Sequence, residues 1–584
     1  MNRALAAVAF VASAVPVIAL GDERPNILLV LLDDAGFMDF GAYGGDAATP
    51  NIDTLANRGA MFSRYYSSPQ CGPSRAMLMT GRDNHEVSLG SIPEAVDPDI
   101  QQYPGYSMQW QDGLPTIASR LKEGGYQTFV SGKWGIGHVG GNLPHRFGFD
   151  RSFVIDSTGG SNFDHTPYLP LYDTVKWFED GKRITLPEGF YSSEGIVDRM
   201  IDYLDEADSG KPFFGFVSFQ AIHFPIQVAP EYRDRYAGRF DMGWEAMRAE
   251  RLERAIDLGL VPEGTELAPL PASSRDWETL SVTEQAYWAR AMQVNAGMLE
   301  AADHHLGRLL TYLDATGQLD NTLVIVTSDN GPESAGIGHE NGVAGAITDW
   351  WLGTEGWNLD YETLGERNTM TFIGEEWASV SAAPFALFKF TATEGGLRVP
   401  LVVAGPGLPE IGLIEGRAHV TDLVPTMLDF AGLDPVAPDI RGRSLLPMLT
   451  GDATEVYGND EAVGFEVGGN AALYRGTWKI SRIPVPLGDG EWHLYDLATD
   501  AGETTDLADA HPDLFRDMLN EYLSYAGEVG VIETATDFNP FEQVGKNTRS
   551  GILHRYWPRL IFPGLFLFVL LILSVRVVRG RLRT

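Results

Sequence analysis

The sequence predicts an α/β fold: a large mixed, mostly parallel sheet flanked by helices, then a smaller α+β domain and a C-terminal transmembrane helix. Three observations carry this expectation. Asn26–Leu32 (NILLVLL) is a continuous apolar run that halts at Asp33-Asp34, the pattern of a strand buried on both faces of a parallel sheet. Short runs of the same kind recur at 127–131, 213–219, 323–327 and 399–404, with helical patterns between them. Beyond residue 405 the texture changes to alternating segments, and near the end an apolar stretch at 560–575 is trailed by arginines.

Each element has a local reason. Segment 114–123 reads as a helix, with Pro115 in its first turn and Gly124 past its end. Segment 286–315 reads as a long amphipathic helix. Segment 421–430 is another helix, and Asp434-Pro435 with Pro438 marks the loop after it. Segments 471–481 and 492–497 alternate as antiparallel strands do. The expected division is an α/β domain over 24–405, an α+β domain over 406–527 and a linker over 528–557.

The two ends predict one topology. Residues 1–21 read as a signal peptide, with Arg3 in the charged start, an apolar run to Leu20, and the small residues Ala19 and Gly21 for cleavage; an uncleaved N-terminal anchor is the alternative. Residues 558–578 read as a membrane helix. Its apolar run is at the short end of the usual ~17–25 residues, but Arg559 and Arg576 can snorkel, and Tyr556 and Trp557 lie at belt positions. Arg579, Arg581 and Arg583 make 579–584 a basic cytoplasmic tail. The bulk of the chain is then exported, on the periplasmic or extracellular face. Apolar residues at 44% suffice for a sizeable core, and a net charge of −36 argues against a nucleic-acid partner. The single cysteine, Cys71, excludes an internal disulfide.

Ligand sites in open α/β sheets gather at the carboxyl ends of strands. Asp33-Asp34 and Asp329-Asn330 end two predicted strands, Lys133 follows a third and His223 a fourth. Three carboxylates and an amide oxygen form a hard-oxygen set suited to Ca²⁺ or Mg²⁺, with no Cys/His set for zinc. The segment Cys71-Gly72-Pro73-Ser74-Arg75 continues as Ala76-Met77-Leu78-Met79-Thr80-Gly81-Arg82. Pro73 suits the first turn of a helix running to about Thr80, which puts Cys71 at its positive end with Arg75 one turn on. From the residues alone, Cys71 is either a thiolate nucleophile or a structural helix start.

CGPSRAMLMTGR resembles the signature of the sulfatase family, Cys-x-Pro-Ser-Arg ending in Thr-Gly-Arg. Lys133 in Gly132-Lys133-Trp134, His223 in Ala221-Ile222-His223-Phe224-Pro225, and Lys389 five residues before Glu394-Gly395-Gly396 are similar to the family's other motifs. So is the stretch Leu494-Tyr495-Asp496-Leu497, with Asp500, Glu503 and Leu507-Ala508. The resemblance spans about 25–525. It implies an alkaline-phosphatase-like sheet and an arylsulfatase-like hydrolase of a sulfated small molecule or carbohydrate. It also implies one Ca²⁺, rather than Mg²⁺, held by Asp33, Asp34, Asp329, Asn330 and residue 71. Cys71 would be oxidised to formylglycine by a formylglycine-generating or anaerobic maturation enzyme, with Arg75, Lys133, His223 and Lys389 around it. One position departs: the family places a histidine where this chain has Gly135, and His138, three residues on, is the substitute the resemblance suggests. A phosphonate or phosphodiester hydrolase on the same fold, and a non-catalytic binding protein, are the alternatives. The tryptophans of 331–388 (Trp350, Trp351, Trp357, Trp377) form either a wall of the site or packing for a loop excursion.

Overall fold

The computed structural model describes residues 24–136, 141–156, 159–336, 342–535, 538–552 and 554–556. The signal peptide, the 558–578 helix, the basic tail and His138 lie outside the described residues. Among the described residues no helix is long and apolar enough to cross a membrane.

The core of the molecule is a ten-stranded sheet. Five parallel strands occupy its centre in the order Thr322–Ser328, Asn26–Leu32, Phe213–Ser218, Gln127–Lys133, Arg151–Ile155. Antiparallel neighbours flank them: Leu401–Ala404 on one side, Trp177–Glu179 and Lys182–Ile184 on the other. Every residue of Asn26–Leu32 is buried. Its side chains alternate between two cores, Leu28, Val30 and Leu32 in one and Ile27, Leu29 and Leu31 in the other. A strand wedged between two apolar layers has no polar face, which is why its sequence reads as an unbroken run.

The long helix Val282–Ala315 covers the first face. It starts four residues before the expected 286, because Ser281 and Glu284 form a capping box. Helices Cys71–Thr80 and Leu423–Phe430 pack on the second face. The helix expected at 114–123 is Ile117–Glu123, since Thr116 rather than Pro115 sets its start by capping Ser119.

The large sheet extends past the expected 405/406 boundary: Gly412–Ile414 pairs in parallel with Ala60–Phe62 at its edge. A separate four-stranded antiparallel sheet follows: Ala462–Val467, Asn470–Arg475, Trp478–Arg482 and Trp492–Asp496, with helix Pro512–Val529 against it. The 471–481 segment, expected as one strand, is two, turned at Gly476-Thr477. The expected linker is not extended. Residues 540–552 form a helix, with Asn539 Oδ1 accepting from the backbone N–H groups of Phe541 and Glu542.

Candidate active site

Parallel strands bring their carboxyl ends to one edge, and the predicted residues meet there. Asp33 and Asp34 leave Asn26–Leu32, and Asp329 and Asn330 leave its neighbour Thr322–Ser328. Oxygens of Asp33, Asp34 and Asp329 lie within 4.8 Å of one another. The loops are stitched together by backbone bonds: Asp33 N–H to Ala221 O at 2.8 Å, Ile222 N–H to Asp33 O at 2.6 Å, and Asp329 N–H to Leu32 O at 3.2 Å. Asp34 holds a left-handed backbone, φ +66°, a strain of the kind that surrounding structure must maintain.

Three cations interleave with these acids. Lys133 Nζ is 2.5 Å from Asp33 Oδ2, and Lys389 Nζ is 2.7 Å from Asp34 Oδ1 and 3.0 Å from Glu333 Oε2. Arg75 donates from Nε to Asp329 Oδ2 at 2.8 Å, and from Nη1 to Ser218 Oγ and Lys133 O, both at 2.7 Å. Lys389 is placed by its backbone: its N–H reaches Pro332 O at 3.1 Å, and the N–H of Phe390 reaches Pro69 O at 2.8 Å, two residues before Cys71. The Gly395-Gly396 pair makes this loop possible. A Cβ on Gly395 would lie 2.2 Å from Leu387 O, and one on Gly396 would lie 2.1 Å from Thr391 O. Glu394 ties the same loop to the second sheet, 3.0 Å from Lys479 Nζ.

Cys71 is the first residue of its helix and 2% exposed. Burial pushes its thiol up, more than Lys133 and Lys389 pull it down. The buried sulfur is thus held as a neutral thiol, which argues against the thiolate reading. The sulfur is not among the atoms of the 4.8 Å acidic set. Burial likewise drives Asp33 well above the carboxylate range, with Lys133 opposing and Asp329 and Asp34 adding. Burial lowers Lys389, but Asp34 and Glu333 outweigh it and hold the ammonium charged. Burial, then Lys133 and Lys389, push His223 well below its usual value, so its imidazole is neutral. His223 Nδ1–H donates to Phe224 O at 2.5 Å, which leaves Nε2 facing Asp34 Oδ2 at 3.8 Å.

The donor set fits a divalent cation on an observation of its own. Asp33 Oδ1, Asp34 Oδ2 and Asn330 Oδ1 are fully buried and have no hydrogen-bond partner. Three orphaned hard oxygens, two of them from carboxylates, cost several kcal/mol unless a cation meets them.

At the departing position, Gly135 has φ +64°, and a Cβ there would lie 2.9 Å from Arg75 Cδ. The Arg75 stem fills the space a side chain would need. Glu333 and Ser218 are the site residues that sequence reasoning missed. Glu333 was signalled weakly, four residues beyond Asp329 in the same strand-end turn.

The site opens into a cavity of about 400 Å³ with Cys71, His223, Glu333 and Lys389 at its floor. Of the four tryptophans, Trp351 lines the cavity, Trp357 and Trp377 are core, and Trp350 is 44% exposed. The 331–388 excursion therefore serves both expected roles.

Residues 25–433 match the model of the Sulfatase family. The chain belongs to the sulfatase family. Its members are sulfuric ester hydrolases, and this sulfatase is accordingly an enzyme that hydrolyses sulfate esters. It is 33% identical to an uncharacterised sulfatase of Schizosaccharomyces pombe over 541 residues, 88% of this chain and 96% of that one. It is equally 33% identical to the arylsulfatase of Klebsiella aerogenes over 439 residues, 74% of this chain and 91% of that one. Among solved structures, Ps i-CgsB in complex with k-i-k-neocarrahexaose shares the sulfatase's fold with a TM-score of 0.62 at 22% identity, over 91% of this chain and 99% of that one.

Proposed function

We propose that this sulfatase hydrolyses sulfate monoesters through a formylglycine made from Cys71 and one bound Ca²⁺. The observation that carries the reading is the buried meeting of Cys71, Arg75, Lys133 and Lys389 with three orphaned hard oxygens. Hydrated formylglycine would supply one hydroxyl to attack sulfur and a second whose deprotonation expels sulfate by C–O cleavage and restores the aldehyde. A calcium ion supplies Lewis acidity and a template for the sulfate oxygens. Asp33, Asp34, Asp329 and Asn330 would hold it.

The chain's own residues do the rest. Arg75 and Lys133, each pinned to an acid, hold a fixed positive field where charge grows on the transferring group. Lys389, kept protonated between Asp34 and Glu333, presents Nζ as the proton source for the leaving oxygen. His223, its Nδ1–H bound to Phe224 O, offers Nε2 as an acceptor. The three cations face four carboxylates, so a divalent ion tips the site to net positive. That balance suits the single charge of a sulfate ester better than the double charge of a phosphate monoester.

Two measurements on one preparation test the reading. The Cys71 peptide should be lighter by ~18 Da than its unmodified form, the mass arithmetic of thiol-to-aldehyde oxidation. Activity on 4-nitrophenyl sulfate should exceed that on the matched phosphate and vanish in Cys71→Ala. An unmodified thiol in a fully active enzyme ends the proposal.

We also propose that the enzyme is exported and held at a membrane by 558–578, as the sequence pattern suggests. Carbonate-washed membranes should retain the full-length chain and release one truncated at 557. Recovery of the full-length chain in the wash overturns the placement.

A further inference from the structure

The cavity above the nucleophile has a wall that none of the family-like motifs supplies. Residues 540–552 form a helix, and Phe541, Val544, Thr548 and Ile552 line the cavity from it. Their spacing, i, i+3, i+7 and i+11, places them on one helical face. Trp351 and Ile347 stand on the insertion helix Gly342–Glu355, and Phe390 adjoins Lys389. The Phe390 and Phe541 rings meet at 5.5 Å. Outside the floor the lining side chains are apolar except for Glu94, Tyr168, Thr348, Thr548 and Arg549.

The wall is fastened, not laid loosely over the opening. Asn547 Nδ2 donates to Glu94 O at 2.8 Å, and Arg555 Nη2 donates to Asp173 O at 2.9 Å. Arg555 also lies 3.3 Å from Glu355 on the insertion helix, and Tyr556 packs edge-on against Trp350 at 5.1 Å. The C-terminal segment thereby clamps the insertion helix and the 168–173 loop around one space.

We infer that this space receives the apolar alcohol half of the substrate, and that helix 540–552 selects for a long alkyl or multi-ring aryl sulfate over a sugar sulfate. The inference rests on the sulfate-ester reading of the same site. An ester bound with its sulfate at Cys71 and Lys389 must project its carbon skeleton into the cavity, because the floor residues are otherwise enclosed. A cavity of about 150 Å³ holds a benzene ring, so about 400 Å³ takes two fused rings or a chain of comparable bulk. A sugar would bring several hydroxyls against Phe541, Val544, Trp351 and Phe390, which offer them few partners.

A 4-alkylphenyl sulfate series from methyl to hexyl tests this, because lengthening the chain leaves leaving-group acidity nearly constant. In the full-length enzyme, kcat/KM should rise up to about fourfold per methylene, the yield of full apolar burial, until the chain outgrows the cavity. N-acetylglucosamine 6-sulfate should be turned over at least 100-fold less efficiently than the best member. Val544→Asp and Phe541→Ser should each flatten the slope, with melting midpoints checking that both variants fold. Affinity for the matching alkylsulfonates, measured by calorimetry, should rise along the series without any turnover.

The outcomes separate the two readings. Rising sulfonate affinity with no hydrolysis of any sulfate ester keeps the pocket assignment and removes the chemistry below it. Turnover of 4-nitrophenyl sulfate with a flat series, or with the sugar sulfate preferred, overturns the inference. A slope unchanged in both folded variants overturns the role of the helix.

Discussion

Arg75 is held at three points, by Asp329, Ser218 and the carbonyl of Lys133, and its stem occupies the space above Gly135. That geometry predicts the outcome of three substitutions. Arg75→Lys keeps the charge but cannot reach three partners from one planar fork. It should lower kcat about 100-fold, the scale of a 1 Å misplacement, while circular dichroism stays native. Gly135→Ala drives a Cβ into Arg75 at a positive φ, so it should cost about 1–3 kcal/mol of stability and lower kcat/KM with it. Restoring the family's histidine by Gly135→His should fare worse in the same assays, since more atoms compete for the same space. Parallel wild-type activity and melting midpoint in Gly135→Ala would contradict the packing argument. At this scale the sequence was readable where a residue ends a strand: Asp33, Asp34, Asp329 and Asn330 follow apolar runs. It was unreadable where two loops meet, because the Lys389–Glu333 pair depends on a turn closed by Pro332 O and Gly395.

The elements around the site are locked by buried charge. His85, five residues beyond helix Cys71–Thr80, lies 2.9 Å from Asp83 and 2.7 Å from Glu466 on the second sheet, and Tyr525 donates to Asp83 at 2.7 Å. Burial pulls the His85 imidazolium down, but Asp83 and Glu466 together raise its pKa to about 10. Asp83 is lowered by the same partner, so the two directions agree. Because the folded value exceeds the unfolded one near 6.5, the stabilisation is complete below pH 6.5 and fades as pH rises through about 10. His85→Gln should therefore cost about 3–5 kcal/mol at pH 6, as the loss of a buried partner does, and progressively less towards pH 10. Denaturant unfolding of both proteins across that range checks it; a pH-independent difference removes His85 as the lock. Helices announced by capping pairs, such as Ser281 with Glu284, were legible in kind if not in boundary. The edge strands Trp177–Glu179 and Lys182–Ile184 were not, being three residues each and partly exposed. The helix at 540–552 was passed over although Asn539-Pro540 is a start signal and its apolar face repeats at helical spacing.

At the scale of the molecule, one buried charge cluster ties the second sheet to the loop after Lys389. Lys479 lies 3.0 Å from Glu394 and 2.8 Å from Glu503, and Glu394 N–H donates to Glu503 at 2.6 Å. Burial pushes Glu503 up to about 7, with Lys479 opposing and Glu394 adding. On the proposal of a bound cation, its removal should loosen the assembly from the other end, where four carboxylates outnumber three basic side chains. Chelation with EDTA should lower the melting midpoint by about 2–5 °C, the effect of losing a ligand present at roughly 100 times its Kd. Added Ca²⁺ should restore it better than Mg²⁺, given a site of crowded carboxylates rather than of waters. No shift on chelation would exclude a resident ion. The central parallel sheet was legible because burial on both faces leaves no room for polar residues. The position of the second sheet was not, since a few buried ion pairs decide it and sequence separation hides them.

All ten residues of helix Cys71–Thr80 are buried, and the sulfur sits behind Phe390, Phe541 and the insertion helix. An oxidising enzyme large enough to have an active site of its own cannot bring it to that sulfur once the chain has closed. On the formylglycine proposal, conversion would then precede folding, in the interval between synthesis and collapse. Molecules that fold first would, on that proposal, keep an unconverted thiol and stay inactive. The proportion of working copies in a preparation would record a race during biosynthesis, and refolding beside the maturation enzyme would be the way to run it again.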